Sequence, residues 1–179
     1  MRKIIAFFLK KRGWQIILKM EIPAKCVLCV APHTSNWDFI IAISLYKSVG
    51  GNPRFLMKKD WFFFPFGNLF RYMGGIPVNR DKKTSLTQQM IELFEKEDEL
   101  QLAIAPEGTR KQNSQWKTGF YHIALAAHTP IILVYLDYGK KEIGVERILH
   151  PTGNMEEDIQ EIKDYYKNIQ AKHPEKFSI

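Results

Sequence analysis

A chain of 179 residues with 45% apolar and 25% charged residues has the size and balance of a domain with one sizeable core. This composition excludes disorder, a collagen-like repeat and a disulfide-stapled miniprotein. With 26 Lys and Arg against 19 Asp and Glu, the net charge of +7 favours an acidic partner: nucleic acid, an anionic membrane, a phosphorylated substrate or an acidic carrier protein. The excess is uneven, with seven basic residues against one acidic in 1–25, eight against three in 26–91, and eleven against fifteen in 92–179.

The first apolar run, Ile4–Leu9, is six residues long and is followed by Lys10-Lys11-Arg12. It is too short for a secretory signal or a spanning helix. After Gly13 comes a second cluster, Trp14-Ile16-Ile17-Leu18. Two apolar clusters broken by a basic patch suit an interfacial segment lying in a headgroup layer, the plainer alternative being an amphipathic helix packed on its own domain. Residues 1–25 are expected as a basic amphipathic segment with a membrane-surface contact, ahead of a domain over 26–179.

Cys26–Val30 is an apolar run that predicts a buried strand. Cys26 and Cys29 then point to opposite faces, which suits core thiols in a reducing compartment rather than a metal pair. Further strands are predicted at Phe55–Met57, Ile76–Val78, Leu100–Ala105 and Ile131–Leu136, with a hairpin-like Ile143–Ile148. Helices are predicted at about 37–48, 84–97, 118–127 and 155–170. The uncharged stretch Thr118–Leu136 is long enough to span a bilayer, but Pro130 divides it into a helix and a buried strand. Strand–helix alternation of this kind predicts an α/β fold: a single domain with a mixed, largely parallel central sheet flanked by helices.

Four segments can carry chemistry. In Ala31-Pro32-His33-Thr34-Ser35-Asn36-Trp37-Asp38, one continuous helix would hold His33 and Asp38 about 140° apart. A turn followed by a helix capped by Ser35-x-x-Asp38 can instead fold the carboxylate back onto the imidazole, leaving a base with an orienting acid and no serine nucleophile. The plainer alternative is a helix cap beside a loop histidine, since a chain of this composition produces a His-x4-Asp pair by chance about 0.2 times. Pro106-Glu107-Gly108-Thr109-Arg110 follows a strand, where α/β sheets place ligands, and offers a guanidinium for phosphate; a turn closed by a Glu107–Arg110 ion pair fits as well. Gly74-Gly75-Ile76-Pro77-Val78-Asn79-Arg80 ends in a basic residue and also reads as a surface arm. Met57-Lys58-Lys59-Asp60-Trp61-Phe62-Phe63-Phe64-Pro65-Phe66 concentrates aromatics beside lysines, as an acyl-chain site, a membrane face or core under a loop requires.

In this order the blocks HTSNWD, the Lys-Lys-aromatic stretch leading to FPFGNLFRYMGGIPVNR, APEGTR and TPIILV resemble the glycerophospholipid acyltransferase superfamily, which includes 1-acylglycerol-3-phosphate (lysophosphatidate) acyltransferases. The resemblance covers about residues 26–137. It implies a glycerol-3-phosphate acyltransferase-like fold and transfer of an acyl group from acyl-carrier protein or CoA to the hydroxyl of a lysophospholipid. His33 would be the general base and Asp38 its orienting partner, without an acyl-enzyme. Glu107, Gly108, Thr109 and Arg110 would shape the acceptor site, with Arg110, Arg80 and Lys58 as the phosphate candidates and Pro130 structural. No metal or cofactor beyond the thioester co-substrate is implied, and no nucleic-acid partner.

Many relatives carry spanning helices or a longer N-terminal helical pair, whereas this sequence offers only its short basic segment, so a cytoplasmic protein held peripherally on the membrane is expected. The motifs leave a lyso-aminolipid or another lipid hydroxyl open as acceptor. A membrane-surface or acyl-carrier-binding module is the non-catalytic alternative.

Overall fold

Lys25–Ala31 (β2) occupies the centre of the molecule because it is apolar on both faces, as a strand covered on each side must be. The computed structural model describes residues 2–78 and 85–179. Preceding β2 are a helix, Arg2–Lys11 (α1), and a short strand, Gln15–Leu18 (β1). After it come Asn36–Ser48 (α2), Pro53–Lys58 (β3), Phe66–Met73 (α3), Gly75–Val78 (β4), Leu86–Lys96 (α4) and Leu100–Ile104 (β5). Gly119–Ala126 (α5), Ile131–Asp137 (β6), Glu142–Leu149 (β7) and Met155–Tyr166 (α6) complete the chain.

The seven strands form one sheet in the order β1-β7-β6-β2-β5-β3-β4. β6, β2, β5, β3 and β4 run parallel; β7 is antiparallel to β6, and β1 is parallel to β7. The fold is therefore α/β with a mixed, largely parallel sheet, as the alternation of strands and helices predicts. Parallel strands bring their carboxyl ends to one edge. That edge receives the loops after β2, β3 and β5 and the turn after β6, together with the amino ends of β1 and β7.

The two sheet faces bury separate cores. Val27, Cys29, Leu102 and Leu133 pack with Phe94, Phe120 and Tyr166 on the side of α4, α5 and α6. Cys26, Leu28, Ile132 and Val134 pack with Ile41, Leu45 and Tyr46 of α2 and with Trp14. The two cysteines therefore point to opposite faces, and burial pushes the Cys26 thiol up to about 12. Each fully buried aliphatic side chain here contributes about 1.5–3 kcal/mol, so these central strands dominate the stability of the domain. Tyr166 ties the first core to the sheet by donating its hydroxyl to the Cys29 carbonyl at 2.6 Å.

Two elements differ from the sequence expectation. The cluster at Trp14–Leu18 is an edge strand rather than part of an interfacial helix. Gly13 breaks the helix with a φ of +87°, and the β-branched pair Ile16-Ile17 favours the sheet, where it pairs with Ile143-Gly144. Helix α3 also escapes the sequence reading, because Pro65, Gly67 and Gly74 make its span look like a loop. Gly67 is needed there, since a Cβ would meet the Phe62 carbonyl oxygen at 2.6 Å.

Candidate active site

Pro32 follows the end of β2, and Ser35 caps α2 by accepting a hydrogen bond from Trp37 N at 3.1 Å. Asp38, in the first turn, returns the contact: its Oδ2 accepts from Ser35 N and from Thr34 N, each at 2.7 Å. This capping box reverses the chain, so that Asp38 Oδ2 lies 3.6 Å from His33 Nδ1. The separation is an ion-pair distance, slightly too long for a hydrogen bond. Cap and carboxylate–imidazole pair are one construction here, and Asp38, 3% exposed, is held inside it. Nε2 of His33 is the ring nitrogen left for the adjoining cavity. Burial holds the His33 imidazole below its ordinary value, Asp38 pulls it upward, and Arg110 lowers it further.

Glu107 and Arg110 take different partners instead of pairing with each other. Glu107 Oε1 accepts from His33 N at 2.8 Å, which fixes the backbone under the imidazole. Its other oxygen, Oε2, is buried without a partner, and burial pushes the carboxyl up to about 7, with Asp38 adding to the rise and the His33 N–H opposing it. Between the ordinary carboxylate value and about pH 7 the folded protein keeps a proton that the unfolded chain has released. Stability therefore falls as pH rises through this window. Glu107→Gln keeps an acceptor for His33 N and removes the buried charge. We expect it to stabilise the protein at pH 8 by on the order of 2 kcal/mol, roughly 4–8 °C in Tm, and by much less at pH 5. An equal Tm shift at both pH values, read by thermal unfolding, would contradict the assignment.

A cavity of about 740 Å³ opens between α2 and the sheet. His33, Asp38, Gly108, Thr109 and Arg110 line its polar part, and Phe39, Ile43 and Phe55 are among its apolar walls. The Arg110 guanidinium donates to the Asn36 side-chain carbonyl, which places it beside the start of α2. Gly108 has a φ of +63°, and a Cβ there would meet Lys117 Cδ at 2.7 Å, so the lysine side chain crosses directly over the glycine. Lys58 ends β3 at the same sheet edge but is exposed and not in the cavity wall. Arg80 lies outside the described residues.

Beyond β3, Trp61, Phe63, Phe64 and Phe66 are exposed, Phe64 to 89%. These four are thus neither core under a loop nor part of the cavity lining, whereas Phe62 between them is half-buried and meets the Phe70 ring edge-on. Tyr138, just past β6, escapes the sequence reading altogether. Its hydroxyl donates to Asp38 Oδ1 at 2.7 Å. The signal available was the strand TPIILV, whose end must reach the edge that carries His33 if it runs parallel to β2; that the two strands are neighbours is visible only in the fold. Asn36 was similarly hidden as one residue of a cap.

An imidazole backed by a carboxylate, and a guanidinium on the same cavity, stand at the carboxyl edge of a parallel sheet, which defines an α/β domain of the kind that binds ligands there. A family model described as Acyltransferase matches residues 15–137, and the chain belongs to that family. The chain is 28% identical over 129 residues to the 1-acyl-sn-glycerol-3-phosphate acyltransferase of Escherichia coli (strain K12), covering 66% of this chain and 50% of that protein. It is 30% identical over 128 residues to the protein of that name from Haemophilus influenzae, with the same two coverages, and 27% identical over 168 residues to the one from Limnanthes douglasii, covering 83% and 58%. The chain spans about half the length of the curated relatives it matches. The crystal structure of the 1-acyl-sn-glycerophosphate (LPA) acyltransferase PlsC from Thermotoga maritima shares the fold, with a TM-score of 0.62, 18% identity and coverage of 96% of this chain and 81% of that one.

Proposed function

We propose that this protein transfers a fatty acyl group from a thioester, carried by acyl-carrier protein or CoA, to the free hydroxyl of 1-acylglycerol-3-phosphate, giving phosphatidate. The observation that carries the reading is the lining of one cavity: an imidazole backed by a carboxylate, a guanidinium, and apolar walls that include Phe39, Ile43 and Phe55. His33 Nε2 takes the proton of the acceptor hydroxyl as its oxygen attacks the thioester carbonyl carbon. The carbon–sulfur bond then breaks, the acyl group stays on the acceptor oxygen, and the departing thiolate receives the proton from the imidazolium. The acceptor is the nucleophile, so no acyl-enzyme forms. Asp38 offsets the transient imidazolium charge. Arg110 holds the acceptor phosphate, with Lys58 and Arg80 the further phosphate candidates that the family resemblance names, and Glu107, Gly108 and Thr109 shape the floor. The apolar walls take an acyl chain and keep water from the thioester.

The acceptor lives in a bilayer, and the protein is read as meeting that bilayer peripherally. Phe7 and Phe8 on α1 are exposed near Lys10 and Lys11, and exposed Phe63 and Phe64 follow Lys58 and Lys59, a composition suited to an anionic interface. No helix among the described residues is long and apolar enough to cross a membrane.

The test offers labelled acyl-carrier-protein and CoA thioesters with a panel of lysophospholipids, lyso-aminolipids and monoacylglycerol in phosphatidylglycerol vesicles. Labelled phosphatidate formed from lysophosphatidate in preference to the other acceptors is expected; turnover with none of them refutes the reading. Sedimentation with the same vesicles should weaken as salt is raised. Equal recovery in the supernatant with and without vesicles rejects the membrane contact.

A further inference from the structure

We propose that Tyr138 is a positioning residue for this reaction, its hydroxyl bond to Asp38 Oδ1 keeping Oδ2 turned toward His33. The proposal rests on the acyl-transfer reading above and adds a residue to it. Asp38 Oδ2 is anchored by two backbone N–H groups from its own loop, and Oδ1 by Tyr138, which comes from 100 residues further along the chain. A carboxylate turns about a broad, two-fold terminal torsion, so bonds to one oxygen leave its plane free to rock. The third bond, from a separate element, fixes that plane.

Tyr138 is itself well held. Its N–H donates to the Gln170 carbonyl at 2.9 Å, and its ring meets Trp14 edge-on, with centroids 5.1 Å apart. Trp14 is buried, so the ring cannot swing away without opening the α1–β1 turn. Burial, followed by the neighbouring Asp38, pushes the Tyr138 hydroxyl far above its ordinary value, which leaves it a donor throughout the working pH range.

The charged and titratable groups around His33 come from each neighbouring element. Asp38 faces it from α2, Glu107 and Arg110 from the loop after β5. Nearby on the C-terminal segment, His173 N donates to Thr34 Oγ1 and Lys172 lies over the Trp37 ring. Tyr138 reaches His33 only through Asp38. By donating to Oδ1 it draws negative charge away from the carboxylate; without it the plane rocks about an Oδ2 that Thr34 N and Ser35 N still hold near His33, and the undiluted charge pulls harder on the imidazolium.

Tyr138→Phe keeps the ring packing and removes the bond. We expect kcat to fall about 10-fold with the KM for lysophosphatidate unchanged, as loss of orientation at a reacting group predicts. We also expect the His33 titration midpoint, followed by NMR and assigned by its disappearance in His33→Gln, to move upward, and the acid limb of the kcat profile with it. In an Asp38→Asn background Tyr138→Phe should change neither quantity. An unchanged midpoint and kcat in Tyr138→Phe would overturn the proposal, as would a midpoint shift that persists in the Asp38→Asn background. A wild-type chain without turnover would remove the acyl-transfer reading, while the titration comparison would still decide whether Tyr138 acts on His33 through Asp38.

Discussion

Replacing His33 by Ala is expected to lower kcat/KM by roughly two to four orders of magnitude, the range that a positioned general base contributes. The loss should fall on kcat. His33 backbone N–H still donates to Glu107 in the variant, so the loop and the adjoining acceptor site stay in place. Only the neutral imidazole can take a proton, and burial lowers its pKa below the ordinary 6.5. Wild-type kcat/KM should therefore rise as pH increases through the region below 6.5 and be flat above it. Steady-state kinetics over pH 5 to 8 check both statements: full activity in the alanine variant removes the mechanism, and a profile that falls toward neutrality reverses the sign.

Arg110→Ala is expected to act on the other term. One charge-assisted hydrogen bond is worth about 1.5–3 kcal/mol, so losing the guanidinium should raise the KM for lysophosphatidate roughly 10- to 100-fold. An acceptor without phosphate, monoacylglycerol, makes no use of the guanidinium and should respond little. A similar loss for both acceptors would mean that Arg110 supports the loop through Asn36 rather than the phosphate.

The contrast between His33 and Tyr138 shows how far the amino-acid order reaches. His33, Ser35 and Asp38 lie within six residues, so local capping chemistry predicts that they fold onto one another. The end of β5 falls at the same edge by the rule that parallel strands share a direction, which brings Glu107 to Arg110 within view. Tyr138 depends on β6 lying next to β2, a non-local pairing that no local pattern encodes. The apolar cavity walls are hidden for the same reason: Ile43 reads simply as one apolar residue of α2, and only the packed helix shows that it faces a cavity. The edge strand β1 was obscured differently. Four residues are too few for alternation to show, and the basic run before them points toward lipid.

That edge strand changes what an N-terminal truncation would mean. Trimming the first twenty residues looks like removal of a lipid anchor, but it would also strip the outer strand from β7, leaving unpaired backbone open to another chain, and withdraw the indole that braces Tyr138. Such a truncated protein would lose turnover even on an acceptor dispersed in detergent, and would tend to self-associate. Its failure on vesicles would then be misread as a loss of membrane affinity. Through Trp14 and Tyr138 the segment is packed against the element that holds Asp38, so an anchor must be probed by single changes on its outward side, at Phe7 and Phe8, with Trp14 and β1 left whole.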